Sequence, residues 1–273
     1  MHMKILCPTD LSQEANNAVA YAAKLAQKTG STLTLLNVQV LAQLTPAEAL
    51  FGEEANVQNA KDVLERQSRE VSALFRIDCR SVVLSSIFSL TSLIKTEAEG
   101  YDLVVMGTDG PDGLVESMTG SKTYKLAAES DLPILVIPND VGYSDIQKIL
   151  FAFDYRKADK VPMKQVSAFA RFSSAEIVLL QIVEEPWSYK IETEIVAAQA
   201  KITQSWPSEI PLEFATLYAD DHVQSLNEHF ASLDVDVIAI GYHQQGLLDR
   251  IFHQSKTRRI VAGASYPLLV VHS

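Results

Sequence analysis

The chain has 273 residues, 47% of them hydrophobic and 21% charged, with 11 glycines and 10 prolines, which leaves room for one large globular domain or two small ones. Its 23 basic and 34 acidic residues give a net charge of −11, which repels a phosphate backbone and excludes nucleic acid as the expected partner. The longest apolar runs, such as Ile134-Leu135-Val136-Ile137, fall far short of the roughly 20 residues that cross a bilayer, so no membrane role is expected. Met1 to Lys4 ahead of Ile5-Leu6-Cys7-Pro8 shows neither a basic region with a long apolar stretch nor a small-residue cleavage site, and a cytoplasmic protein is expected.

In chain order, Lys4 to Cys7 reads as a short buried strand. A helix follows, with Ala15, Ala18, Val19, Ala22 and Ala26 on one face, Ser12 as its N-cap and Gly30 as its stop. Thr32 to Val40 is β-branched and apolar, a second strand. Thr45-Pro46-Ala47-Glu48 then forms a capping box with proline at the first helical position, opening helical material that runs to about Phe75. A strand at Arg80 to Leu84, a helix around Ser89 to Glu99, a strand at Asp102 to Met106, a helix from about Ser121 to Glu129 and a strand at Ile134 to Ile137 complete the first half. Such alternation forces parallel pairing with right-handed crossovers, hence a doubly wound sheet.

The chain is written twice. Lys4-Ile5-Leu6 and Asp10 recur as Lys148-Ile149-Leu150 and Asp154, 144 residues on. Asp102-Leu103-Val104-Val105-Met106-Gly107 recurs as Asp236-Val237-Ile238-Ala239-Ile240-Gly241, and Pro133 to Ile137 as Pro267 to Val271, both 134 residues on. The second copy is therefore shorter in its middle. Asn139 to Asp145 reads as the linker, giving domains at 1–140 and 145–273. The second copy has strands near Lys148, Ile177, Glu213, Asp236 and Leu268, and a helix around Tyr189 to Ser205. The expected fold class is α/β, two tandem doubly wound parallel five-stranded sheets.

In an open parallel sheet the ligand crevice lies at the carboxyl ends of the strands, where strand order reverses. In the first copy those ends carry Pro8-Thr9-Asp10, Val38 and Gly107-Thr108-Asp109-Gly110, followed after nine residues by Gly120-Ser121-Lys122-Thr123 opening a helix. Glycines let a backbone approach a phosphate, and the first amides of a helix are unpaired donors at the positive end of its dipole. Ser121 can cap that helix and also donate to a phosphate. Lys122 is not a P-loop lysine, because the GxxxxGK[ST] spacing is absent.

The pattern G-x-x-G, nine residues, then G-S resembles the ATP-binding motif of universal stress proteins, and Pro8-Thr9-Asp10 is similar to that family's opening. The resemblance extends over essentially the whole chain and is that of a tandem two-domain member, with the Rossmann-like, adenine nucleotide alpha hydrolase-like fold. It implies that Thr9 and Asp10 face adenine and ribose, that Val38 lines the adenine pocket, and that Met106 and Gly107 border the ribose. Gly110, Gly120, Ser121 and the backbone of Lys122 would hold the phosphates. It also implies that the last strands pair edge to edge, making the chain a pseudo-dimer of its two domains, with a homodimer as a further option.

The second copy departs from the motif. Gly241 and Ser255 match Gly107 and Ser121, but Gln244 and Gln254 stand in place of Gly110 and Gly120, so a degenerate second site is expected, with Asp154 a structural remnant.

Other candidates read as bland. Cys7 and Cys79, isolated in apolar stretches, are expected to be reduced core thiols. His243 and His253 could face the second crevice, but with His222 and His229 they lack a ligand cluster, so no metal is expected. Arg156, Lys157, Lys160 and Lys164 read as a solvated helix face. Trp187 and Trp206 flank the middle helix of the second copy as packing residues or part of a partner surface.

No nucleophile with its base, no matched carboxylate pair and no G-x-S-x-G elbow is present. The leading expectation is an ATP-binding stress-response protein that acts as a nucleotide-dependent binding or regulatory module. The alternatives are an interaction scaffold with no occupied nucleotide site, or a weak ATP hydrolase with Asp10 or Asp109 near the phosphates. Whether Mg²⁺ accompanies the nucleotide stays open.

Overall fold

The computed structural model describes residues 2–12, 15–40, 53–86, 94, 96–108, 126, 130–183, 186–218, 233–242 and 266–272. The chain divides into two compact units, Met1–Tyr143 and Ser144–Ser273. In the first, β1 (Lys4–Pro8), α1 (Ala15–Thr29), β2 (Thr32–Val40), α2 (Glu53–Phe75), β3 (Cys79–Ser86), β4 (Leu103–Thr108) and β5 (Ile134–Pro138) follow in order. The strands are parallel and lie β3-β2-β1-β4-β5. In the second, β6 (Lys148–Phe153), a 3₁₀ segment (Tyr155–Lys160), α3 (Met163–Ser173), β7 (Glu176–Val183), α4 (Tyr189–Ser205), β8 (Leu212–Tyr218), β9 (Val237–Tyr242) and β10 (Leu268–His272) form the parallel order β8-β7-β6-β9-β10. Each is a doubly wound sheet, as the alternation predicts. Among the described residues no helix is long and apolar enough to cross a membrane.

The elements form where local chemistry places them. Ile5, Leu6 and Cys7 of β1, and all five residues of β5, are buried, as expected of parallel strands covered on both faces. α1 buries Ala18, Val19, Tyr21, Ala22, Ala23, Leu25 and Ala26, a face made mostly of small side chains, which lets its backbone lie close to the sheet. Ser12 Oγ accepts from Ala15 N–H at 3.1 Å at the start of α1, and Gly30 follows its end in the left-handed region at φ 66°. The capping box at 45–48 and most of the helix expected over 121–129 lie outside the described residues.

The two units repeat at the level of single hydrogen bonds. Lys4 N–H donates to the Asp102 carboxylate and Lys148 N–H to that of Asp236, both at 2.9 Å. Ser31 and Ala175 donate to Ala26 and Ala170, Val104 and Ile238 to Pro133 and Pro267. Leu33 donates to Asp78, yet Ile177 donates to Pro211, 133 residues on from Asp78, so the missing residues fall between β7 and β8, where α4 replaces the longer α2 segment.

One expectation changes. Arg156, Lys157, Lys160 and Lys164 do not share a helix face, because the run is a 3₁₀ segment ending at Lys160 and α3 begins only at Met163. Pro162 disfavours helical backbone at Val161, which is extended at φ −65°, ψ 127°, and the helix restarts after it. Arg156 instead lies 4.9 Å from the centre of the Tyr155 ring. The tryptophans also divide: Trp206 is buried and donates to Ile210 O at 2.9 Å, whereas Trp187 is 62% exposed.

Ser174 occupies the place of Gly30, in the left-handed region at φ 60°. Nothing lies within 4 Å of a Cβ built on Gly30, so only backbone strain separates the two caps. Gly30→Ala should therefore cost, and Ser174→Gly gain, roughly 0.5–1 kcal/mol in urea unfolding.

Candidate functional site

The first unit opens between β1 and β4. Along β1, Lys4 N–H points to the β4 side, where Asp102 accepts it, and Thr9 N–H points to the other side, to Leu36 O of β2 at 2.8 Å. Donors alternate sides along a strand, so position 8 faces β4, and Pro8 has no N–H to give. The β1–β4 ladder accordingly holds only Ile5–Leu103 and Leu6–Val104, while β1–β2 continues through Pro8–Leu36. Beyond Leu6 the β1–β4 ladder ends, at the switch point of strand order where such sheets hold their ligand crevice.

The lip of this crevice is a turn built from its own side chains. Thr9 Oγ1 accepts from Leu11 N–H at 3.1 Å and Asp10 Oδ1 from Ser12 N–H at 3.0 Å. Leu11 sits at φ 66°, a strained position that those bonds enforce. Asn37 of β2, 2% exposed, donates through Nδ2 to Thr9 O at 2.8 Å. On the opposite lip Met106 and Gly107 lie at the end of β4 before Thr108, and both are half-buried. A Cβ at Gly107 would stand 3.3 Å from Ala18 Cβ, inside normal contact distance, so the missing side chain is what lets α1 rest on β4. Val38 is half-buried near the end of β2. The structure thus brings Thr9, Asp10, Val38, Met106 and Gly107 to one end of the sheet; Gly110, Gly120, Ser121 and Lys122 lie outside the described residues, as do His222, His229, His243 and His253. Sequence reading overlooked Asn37, whose signal is an amide set among Leu35, Leu36 and Val38 in the strand.

The second unit is built differently at the same place. Ala152 stands where Pro8 does, and the β6–β9 ladder continues through Phe151–Ala239 and Ala152–Ile240. The strand ends carry Phe153, Tyr155 and Val183 where the first unit has Thr9, Leu11 and Gln39. Tyr155, Val183, Ile195 and Ala198 form one buried cluster, with Phe153, Ala158 and Ile191 against it, so α4 lays its apolar face over these ends. Asp154 caps the 3₁₀ segment by accepting from Arg156 N–H at 3.0 Å. Gly241, the counterpart of Gly107, has Pro162 Cδ 3.5 Å from where its Cβ would be.

Cys7 lies in the core as expected, whereas Cys79, at the start of β3, is only half-buried. Burial pushes Cys7 up to about 12, with neighbouring Cys79 adding to it, and burial with the adjacent Asp78 charge pushes Cys79 to about 12. Both stay protonated, hence poor nucleophiles, near neutral pH. Among the described residues no group of three or more His, Cys, Asp or Glu could hold a metal ion.

Fold and strand ends together define a tandem α/β protein of the Rossmann-like, adenine nucleotide alpha hydrolase-like class. The universal stress protein family model matches residues 1–138 and again 145–272, and the chain belongs to that family. It is 25% identical over 156 residues to universal stress protein MJ0577 of Methanocaldococcus jannaschii, a match covering 50% of this chain and 95% of that one. A universal stress protein structure from Archaeoglobus fulgidus DSM 4304 superposes with a TM-score of 0.68 at 16% identity, covering 99% of this chain and 96% of its own. A functionally unknown protein of Pseudomonas aeruginosa PAO1 superposes at 0.59 with 17% identity, covering 98% and 92%. At these identities the superpositions show the fold.

Two outcomes test the end of the β1–β4 ladder and the state of the thiols. Ala152→Pro removes a used ladder donor and should cost about 1–3 kcal/mol in urea unfolding, whereas Pro8→Ala should cost nothing, since its new N–H can find β4. The native thiols ionise near 12, above the ordinary thiol value of 9.0, so both cysteines should resist Ellman's reagent at pH 8 until denaturant is added. By the same sign, their contribution to stability is complete below pH 9.0 and is lost as pH rises toward 12, when unfolded thiols ionise and native ones do not.

Proposed function

We propose that the chain binds an adenine nucleotide, ATP, between β1 and β4, and serves in the cytoplasm as a nucleotide-dependent regulatory module of the stress response. The observation that carries this reading is the end of the β1–β4 ladder at Leu6, ahead of Pro8, with Thr9, Asp10 and Gly107 at the same end of the sheet. In it Thr9 and Asp10 face adenine and ribose, Val38 lines the adenine pocket, and Met106 and Gly107 border the ribose. Gly110, Gly120, Ser121 and the backbone N–H of Lys122 hold the phosphates, by the anion affinity of glycine-rich backbone and a helix N-terminus.

The described residues suit such a ligand. Val38 supplies an apolar wall that is half-buried and Asp10 an exposed carboxylate able to accept from sugar hydroxyls. Occupancy of this site shifts a conformation or an assembly that partners read, so the protein acts by binding. The 145–273 domain takes no nucleotide, a reading supported by its longer β6–β9 ladder, its apolar cluster over the strand ends, and Gln244 and Gln254 in place of glycines.

The test is to denature protein purified without added nucleotide, identify any small molecule released by mass spectrometry, and count it against protein. The expected result is one adenine nucleotide per chain, lost in Gly120→Val, whose branched side chain enters the phosphate cradle. Two per chain would refute a silent second domain. None, with no uptake of millimolar ATP in titration, would favour an interaction scaffold, and multiple-turnover phosphate release would favour a hydrolase.

A further inference from the structure

We infer that Asn37 is a positioning residue of the β1–β4 crevice: by holding the Thr9 carbonyl it sets where the Asp10 carboxylate stands, and so governs affinity for the nucleotide without touching it. This rests on the nucleotide reading above. The Thr9–Ser12 turn makes its Thr9–Leu11 and Asp10–Ser12 bonds within itself, and such bonds fix its shape without fixing its orientation against the sheet. At its far end Ser12 Oγ accepts from Ala15 N–H of α1, and among the described residues two bonds from β2 reach its first residue, Thr9. One is the Thr9 N–H to Leu36 O bond, which merely continues the ladder; the other is Asn37 Nδ2–H to Thr9 O at 2.8 Å. With Thr9 N–H and Thr9 O both bound to β2, the peptide that leads into Asp10 has one orientation. The Asn37 amide is oriented in turn, because Gln39 Nε2 donates to its Oδ1 at 2.5 Å. A 2% exposed amide engaged on both sides has no other rotamer that keeps its bonds, so the turn inherits the rigidity of the strand.

The chain carries its own control. Gln181 occupies the place of Asn37 in β7, fully buried, but its longer side chain turns the other way, Nε2 donating to Thr216 Oγ1 of β8 at 2.8 Å. Its Oε1 has no partner among the described residues. The tie from the second strand to the first is thus absent in the unit whose strand ends are covered by an apolar cluster, and present in the unit whose strand ends are polar.

The experiment measures ATP affinity by titration calorimetry in the full-length chain, its Asn37→Leu and Asp10→Ala variants and the double variant, together with amide hydrogen exchange of residues 9–12 in the ligand-free proteins. Asn37→Leu should weaken ATP binding about tenfold in the parent and by less than about twofold in the Asp10→Ala background, since coupled residues are non-additive. Asn37→His, which offers an N–H the same number of bonds from the backbone, should restore most of the affinity, and Gln181→Leu should leave it unchanged. Exchange of the Leu11 and Ser12 amides should rise in Asn37→Leu and not in Gln181→Leu, while Asp10→Ala frees the Ser12 amide directly by removing its acceptor. Should Leu fail to fold, Asn37→Ala repeats the measurement with a smaller side chain. Losses that simply multiply in the double variant, or unchanged exchange, would overturn the inference. Failure of the parent chain to take up ATP would sink the nucleotide reading instead, and the exchange data would then decide whether Asn37 holds the turn.

Discussion

The geometry of the first unit depends on one missing hydrogen bond. A proline at the end of a central parallel strand withholds the donor that would keep β1 and β4 together, and it does so on the β4 side, because donors alternate and Lys4 and Thr9 fix the phase. Had the proline fallen one residue earlier or later, the lost donor would have faced β2, and the crevice would not open at the switch point. The consequences follow in sequence: β1 stays tied to β2 through Pro8–Leu36, the turn after it is drawn to the β2 side, and the space beside Gly107 is left to α1 and to whatever enters.

The second unit shows what the same architecture becomes without that constraint. Lys148 and Asp236 repeat the clamp that sets register between the first strand and the fourth, so the fold survives. With Ala152 in place of Pro8 the strands stay paired, and residues that are Thr9, Leu11 and Gln39 in one unit become Phe153, Tyr155 and Val183 in the other. Each large apolar side chain so covered contributes about 1.5–3 kcal/mol of burial. α3 also starts late, at the equivalent of Val19 instead of Ala15, since its first turn is replaced by a 3₁₀ segment that serves as a seat for α4.

Much of this was legible in the sequence where one residue type has one physical use. The bounds of β2 and of α4 fall where β-branched composition and helical periodicity place them, and the Ser12 and Gly30 signals act as caps. What escaped reading were choices decided by partners distant in sequence. Nothing local distinguishes Arg156 and Lys157 from a helix face; Pro162 and the apolar cluster under α4 decide it. Asn37 is one amide in a strand until Thr9 is known to be its neighbour, 28 residues away. Ala18 is one small residue on a small-residue face until Gly107 is found beneath it.

The division between a polar and an apolar version of one crevice has a thermodynamic meaning. A strained Leu11 and a shortened ladder are features that a fold selected only for stability would lose, as the second unit has lost them while keeping the Asp154–Arg156 counterpart of the Asp10–Ser12 bond. A crevice of that kind recovers stability from whatever it binds, by RT ln(1 + [L]/Kd), about 4 kcal/mol when the ligand is a thousandfold above Kd. On the reading proposed above, the stability of the first unit follows ligand concentration.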